Sequence, residues 1–203
     1  KFALTGSSAR KLRRSGTNLL GGRALSLSMY PFVPEELGSA FRLERALGQG
    51  TLPLVWDAED PDATLRAYVQ TYLKEEIQAE ALVRNLRGFA RFLPVAALMH
   101  GQRVNVVALA RDAAVARQTV AGYLEILDDT LIATTVEGFE AKLRVRERRH
   151  PKLYLFDPGV ARALKRQLGP VAIEERGPLL EGYVLTLLRF YRERAELCDD
   201  IRY

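Results

Sequence analysis

The chain has 203 residues, of which 48% are hydrophobic, and its 30 Lys and Arg against 25 Asp and Glu give a formal net charge of +5. This length accommodates one large domain or two to three small ones, and the modest cationic excess permits nucleic-acid binding without requiring it. A single cysteine, Cys198, excludes an internal disulfide framework and favours a cytoplasmic location, and no apolar run reaches the about 20 residues of a membrane span.

The first 40 residues alternate between short apolar segments and turns. Residues 2–4 predict a strand, and Ser7 or Ser8 is placed to cap a helix over residues 9–14. Residues 24–29 alternate, which predicts a second strand with Leu27 and Met29 on one face. Because the chain opens inside a strand and has no initiator methionine, we expect a piece of a longer protein.

Two amphipathic helices follow. The first is predicted to start at Asp62 as the N-cap and carries an apolar stripe over residues 65–77. The second spans residues 82–99 and places Leu86 and Leu98 inside, with Pro94 predicting a kink or a short break. His100 marks the end of this helix. With only two histidines and one cysteine in the chain, we expect no zinc site.

Residues 104–157 have the pattern of a winged helix-turn-helix domain. One helix leads into a turn over residues 112–114, and a second helix begins near Val115. Residues 131–132 and 143–145 alternate around Glu137-Gly138, which predicts a hairpin, the wing. The inward positions of the second helix are Val120, Tyr123, Leu124 and Leu127.

The charges of this region indicate contact with phosphates rather than with bases. In the second helix, Arg117 and Gln118 are the outward side chains suited to base edges, whereas Glu125, Asp128 and Asp129 would repel phosphates. A basic strand face in the wing neutralises phosphates without reading sequence. The alternatives are a solvated edge strand protected by its charge, or a docking surface for an acidic domain. The cations of the predicted wing are Lys142, Arg144, Arg146, Arg148, Arg149 and Lys152.

The sequence from residue 152 onwards predicts a buried strand and two helices. The strand covers residues 152–156, and the first helix covers residues 160–168. The second helix is predicted to open at Gly177, with Glu181 in its first turn, where an acid is favoured by the helix dipole. Its predicted buried face consists of Leu180, Val184, Leu187, Leu188 and Tyr191.

Taken in order, five segments of the chain resemble one family. LTGSS, LLGGRALSLSMYPF, LRAYVQTYLKEEI, LYLFDPG and LLEG are similar to the C-terminal part of bacterial and archaeal AAA+ ATPases that carry a C-terminal domain of unknown function. The resemblance implies the end of the ATPase core and its helical lid over residues 1–80. It further implies a winged helix over residues 81–152 and the truncated start of a nuclease-like α/β domain over residues 153–203.

The same resemblance implies roles for four residues. Ser7 or Ser8 becomes the candidate sensor 1, and Arg23 becomes the candidate arginine finger, which neutralises charge in the transition state of ATP hydrolysis. Glu181 matches an acid that helps to hold Mg²⁺ in active PD-(D/E)XK nucleases. Because the 203 residues contain no G-x-x-x-x-G-K-[ST] loop, we expect ATP and Mg²⁺ in the parent protein and no cofactor or metal in this chain.

The sequence therefore predicts a mostly helical α+β chain from an AAA+ ATPase, without catalysis of its own. Its winged helix is expected to bind DNA non-specifically through phosphates, or to bind another protein domain, and no membrane partner is expected. The alternatives are a protein–protein docking module and part of a nuclease that residues further downstream complete. The parent protein is expected to hydrolyse ATP and to form oligomers.

Overall fold

A computed structural model of the chain describes residues 27–72, 85–139, 150–195, 198 and 200–203. The described residues form a mostly helical α+β fold with one three-stranded antiparallel sheet, which confirms the predicted fold class at this level. Two predicted strands, over residues 2–4 and 143–145, and the helix over residues 9–14 lie outside the described residues. The same holds for Ser7, Ser8, Arg23, Lys142, Arg144, Arg146, Arg148 and Arg149.

Short helices begin the described part of the chain. They are α1 (Pro34–Leu37), α2 (Leu43–Gln49), α3 (Pro53–Trp56) and α4 (Pro61–Ala67), and α4 continues into a π-helical turn, Tyr68–Tyr72. Pro34 is the first residue of α1. The predicted N-cap of α4 is wrong, because the carboxylate of Asp60, not of Asp62, accepts the hydrogen bond from the Ala63 N–H at 2.9 Å. Pro61 fixes this start, since proline suits the first helical position and needs no N–H partner there.

The predicted strand over residues 24–29 is not formed in its described part. Residues 27–30 belong to no strand, and the side chains of Leu27 and Met29 are 81% and 96% exposed. No strand of the described residues pairs with this segment. An alternating sequence forms a strand only where a neighbouring strand satisfies its backbone groups.

The centre of the fold consists of α5 (Leu86–Leu98), β1 (Gln102–Arg103), α6 (Val106–Asp112), α7 (Arg117–Asp129), β2 (Ala133–Val136) and β3 (Lys152–Leu155). The strands lie in the order β1-β3-β2. The partner of β2 is therefore the segment that was predicted as a separate buried strand. Helix α5 continues through Pro94, and Leu86 and Leu98, predicted to be inside, are exposed at its two ends.

Two further helices close the fold, α8 (Pro158–Lys165) and α9 (Ile173–Ala195). Helix α9 begins four residues before the predicted Gly177, so Glu181 lies well inside the helix and not in its first turn. The predicted buried face is wrong for Leu180, Val184 and Leu188, which are 40%, 42% and 49% exposed. Leu187, from the same predicted face, is partly buried and packs against the cluster at α2. Helix α9 instead buries Leu179 and Tyr183 against α2, and Leu185 against Val136 and Tyr154 of the sheet.

The largest of the hydrophobic clusters in the described part of the chain connects α3 and α4, the central elements and α8. It contains Val55 and Leu65 from the first helices, Phe92 and Leu127 from the centre, and Leu164 from α8. Residues on both sides of the predicted boundaries at 80/81 and 152/153 therefore contribute to the same core. The division of the chain into three functional segments stays a prediction.

Candidate nucleic-acid interface

Helices α6 and α7 are joined by a short turn that is fixed to α5. Ala113 is fully buried, and Ala114 has a positive φ of 52°, which reverses the chain as the sequence predicted. The guanidinium of Arg91 on α5 donates to the carbonyls of Ala113 at 3.2 Å and Ala114 at 3.3 Å. The turn between the two helices is thus held by a side chain of α5.

Helix α7 is anchored to α5 through Tyr123. The Tyr123 ring packs edge-on against Phe89 at a centroid distance of 4.9 Å, and its hydroxyl donates to the carbonyl of Asn85 at 3.0 Å. Val120 and Leu127 are buried on the same face, as predicted. This packing orients the opposite face of α7 towards solvent.

The outward face of α7 presents cationic and polar groups only at its beginning. Arg117 and Gln118 are exposed in the first turn, where the N-cap Ala116 supplies no side-chain hydrogen bond. Further along the same helix, Glu125 and Asp128 are exposed. The first turn therefore has the chemistry to contact phosphates or base edges, whereas the acidic second half does not.

Lys152, a predicted nucleic-acid contact, is held by a carboxylate in this structure. Its ammonium lies 2.6 Å from Oε1 of Glu181, and the Tyr154 hydroxyl donates to the same oxygen at 2.6 Å. Burial raises the pKa of Glu181, but the hydrogen bonds from Lys152 and Tyr154 outweigh burial and leave the pKa lowered. The charged Glu181 therefore anchors α9 to the face of the sheet on which Tyr154 packs against Leu185.

Arg103 lies next to Lys152 and was not identified from the sequence. The two residues are paired across β1 and β3, and both line a shallow groove together with Glu181. A strand of two residues has no periodicity, so the sequence contains no signal for this pairing. The groove is completed by Met99, Gly101, Gln102, Gly177 and Pro178.

Tyr203 connects both ends of the predicted wing. Its backbone carbonyl accepts from the Phe139 N–H at 2.7 Å, and its N–H donates to the Glu137 carbonyl at 3.2 Å. Its hydroxyl donates to the carbonyl of His150 at 2.7 Å. The chain on either side of residues 140–149 is thus fixed by one residue.

His100 is a buried structural residue rather than a simple helix end. It is 3% exposed, and its Nδ1 accepts from the Leu155 N–H at 3.1 Å, which joins the end of α5 to β3. Burial, and secondarily the charge of Lys165, lowers the pKa of His100 to about 4. The imidazole is therefore neutral near pH 7, with its proton on Nε2.

Within the described ranges, no group of three or more His, Cys, Asp and Glu side chains is placed to hold a metal ion. None of the helices in the described part of the chain combines the length and the apolar character needed to cross a membrane.

Comparison with known proteins places the chain in a family. The model of the family described as "Domain of unknown function (DUF8612)" matches residues 40–170, and the chain belongs to this family. Uncharacterized protein Rv2008c of Mycobacterium tuberculosis and Uncharacterized protein Mb2031c of Mycobacterium bovis are each 29% identical to it over 195 residues. The match covers 93% of this chain but 44% of each relative, so the chain spans less than half of their length. No solved structure matches the chain.

Proposed function

We propose that the chain carries a winged helix-turn-helix module of an AAA+ ATPase, and that this module binds DNA through phosphates with little regard to sequence. The observation that carries the proposal is the order of elements from α5 to β3. A helix, a short strand, a helix-turn-helix and two further strands follow one another, and the last strand lies between the other two in the sheet. This arrangement supports a winged helix, and the predicted wing falls in the part of the sequence between β2 and β3.

The distribution of charge supports phosphate contacts over base reading. Arg117 and Gln118 are the exposed groups at the start of α7, and they are followed by Glu125 and Asp128. The sequence adds Lys142, Arg144, Arg146 and Arg148 at a spacing of two in the predicted wing. A row of this kind follows a backbone and predicts non-specific binding with a Kd of roughly 10⁻⁴–10⁻⁶ M at physiological salt.

The AAA+ assignment rests on the resemblance of the sequence segments, since Ser7, Ser8 and Arg23 lie outside the described residues. More than half of each mycobacterial relative lies outside the matched region, and that length is sufficient for an ATPase core. ATP and Mg²⁺ are accordingly proposed for the parent protein.

Fluorescence anisotropy on random and defined duplexes, between low and physiological salt, tests the DNA-binding proposal. Replacing both Arg144 and Arg146 with Ala is expected to weaken binding to every sequence alike and to make the log–log salt slope shallower by about two. Arg117→Ala is expected to have a smaller effect. A strong preference for one duplex, abolished by Arg117→Ala, would instead show that α7 reads bases. No binding of the wild-type chain at low salt would refute the proposal.

A protein-docking function is the second candidate, because α9 exposes Leu180, Val184 and Leu188 four residues apart on one face. An apolar stripe of this kind is typical of contact with another domain. Failure to bind any duplex at low salt would favour this candidate. A nuclease function that includes Glu181 stays a prediction, and in this structure the Glu181 carboxylate binds Lys152 and Tyr154.

A further inference from the structure

We infer that Arg103, rather than Lys152, is the cation through which the sheet contacts phosphate, and that Glu181 keeps Lys152 from doing so. The inference rests on the proposed DNA-binding function and assigns residues to it. It replaces one predicted contact, Lys152, with a residue that no sequence pattern identified.

The strand register places Arg103 beside Lys152, at one end of the sheet. Arg103 is the last residue of β1, and it pairs with Lys152, the first residue of β3, which in turn pairs with Val136, the last residue of β2. Directly opposed residues of antiparallel strands project to the same face. Arg103 and Lys152 therefore lie side by side at the end of the sheet where β2 ends at Val136 and β3 begins at Lys152.

The two cations, Arg103 and Lys152, differ in their contacts with other side chains. The Lys152 ammonium pairs with Glu181 at 2.6 Å and lies 4.9 Å from the centre of the Tyr203 ring. Arg103 is exposed, and within the described part of the chain no hydrogen bond or ion pair holds its guanidinium. Among the described residues that line the groove, Arg103 is therefore the cation without a partner.

The pairing of Lys152 and the lack of a partner for Arg103 among the described residues affect DNA binding through counterion release. A cation strengthens DNA binding when its positive charge neutralises a phosphate and releases a counterion. The Lys152–Glu181 pair is neutral as a unit, so moving Lys152 to a phosphate would leave the Glu181 carboxylate uncompensated beside the DNA. Contact between Arg103 and a phosphate leaves no carboxylate of the described residues uncompensated. The planar guanidinium of Arg103 also has the geometry to donate two hydrogen bonds to one phosphate.

The test compares salt slopes of duplex binding for the wild-type chain and variants. Arg103→Ala is expected to make the slope shallower by about one, and Arg103→Lys is expected to retain it. The matched control replaces the ion pair with neutral groups, Lys152→Met with Glu181→Gln, and is expected to leave the slope unchanged. Glu181→Gln alone releases Lys152 and is expected to steepen the slope by about one.

Each contrary result has a separate meaning. A loss of about one in the slope for the Lys152→Met, Glu181→Gln protein, with none for Arg103→Ala, would identify Lys152 as the contact and overturn the inference, while the proposed function would stand. An unchanged slope for Glu181→Gln alone would overturn the role of Glu181. No wild-type binding at low salt would refute the proposed function and the inference together. Circular dichroism melts establish that every variant is folded.

Discussion

The carboxylate of Asp157 accepts a hydrogen bond from the backbone N–H of Thr51 at 2.8 Å, across a separation of 106 residues in the chain. Its other oxygen accepts from the N–H of Val160 at 3.0 Å and caps α8. Burial raises the pKa of Asp157 to about 6, against the lowering effect of these N–H groups. One fully buried side chain therefore joins the loop before α3 to the start of α8.

Asp157→Ala is expected to lower the free energy of unfolding by about 3 kcal/mol, because it leaves buried N–H groups without acceptors and removes a helix cap. The measurement is urea denaturation followed by circular dichroism. Asp60→Ala is the matched control, since Asp60 is also an N-cap but is exposed and accepts from the Ala63 N–H. This control is expected to cost about 1 kcal/mol. Equal losses for both variants would show that the contact with Thr51 adds nothing.

The stability contributed by His100 is expected to fall with acid. Its folded pKa of about 4 lies below the ordinary value of 6.5, so the unfolded chain binds the proton first as the pH falls. The contribution is present above pH 6.5 and is lost as the pH falls towards 4, with a limit of about 3 kcal/mol. His100→Asn retains an acceptor for the Leu155 N–H but does not titrate, and is expected to remove this loss.

The stability contributed by Asp157 changes with pH in the opposite direction to that of His100, over an overlapping pH range. Its folded pKa of about 6 lies above the ordinary value of 3.8, so the stability it contributes is present below pH 3.8 and is lost as the pH rises through 6. The readout for His100 is therefore the difference in unfolding free energy between His100→Asn and wild type at each pH. A difference that stays constant from pH 7 to pH 4 would contradict the expectation for His100.

Two glycines of α9 are expected to respond differently to alanine. A Cβ at Gly182 would overlap Nε2 and Cε1 of the buried His100, whereas a Cβ at Gly177 meets nothing within 4 Å. Gly182→Ala is expected to destabilise the fold by about 1–3 kcal/mol through overpacking. Gly177→Ala is expected to change stability by less than about 1 kcal/mol, because the helix preference of alanine is offset by crowding against the ring of the following Pro178. Thermal denaturation of both variants gives the comparison, and equal melting temperatures would argue against close packing of α9 on His100.

The chain is expected neither to bind nor to hydrolyse ATP, because its sequence contains no P-loop to hold the phosphates. Isothermal titration with MgATP is the measurement. Binding in the micromolar range would show that another part of the chain holds the nucleotide.

Arg23 is expected to act as an arginine finger in the full-length parent protein, across a subunit boundary. Arg23→Ala in that protein is expected to slow ATP hydrolysis by about 10³-fold or more while nucleotide binding survives. Steady-state turnover and nucleotide affinity are measured together. Unchanged turnover would leave Arg23 a structural residue.

Local patterns in the sequence predicted the structure correctly where the buried residues of a helix or strand recur with the period of that element. The turn at Ala113 and Ala114 and the buried face of α7 through Val120 and Leu127 were predicted correctly, because α6 and α7 contact each other directly. The strand β3 was also predicted, to within one residue of its end, since its run of apolar residues is short and bounded by turns. These features depend on residues that are close in sequence.

The tertiary structure decided which surfaces of the elements meet. The apolar residues of α9 surround much of the helix, so its period did not show that Leu179 and Tyr183 are buried and Leu180 is exposed; contact with α2 selects that face. The pairing of Arg103 with Lys152 and the capture of Lys152 by Glu181 likewise join residues that are far apart in sequence. Local periodicity contains no information on such contacts, because they form only when separate elements pack together.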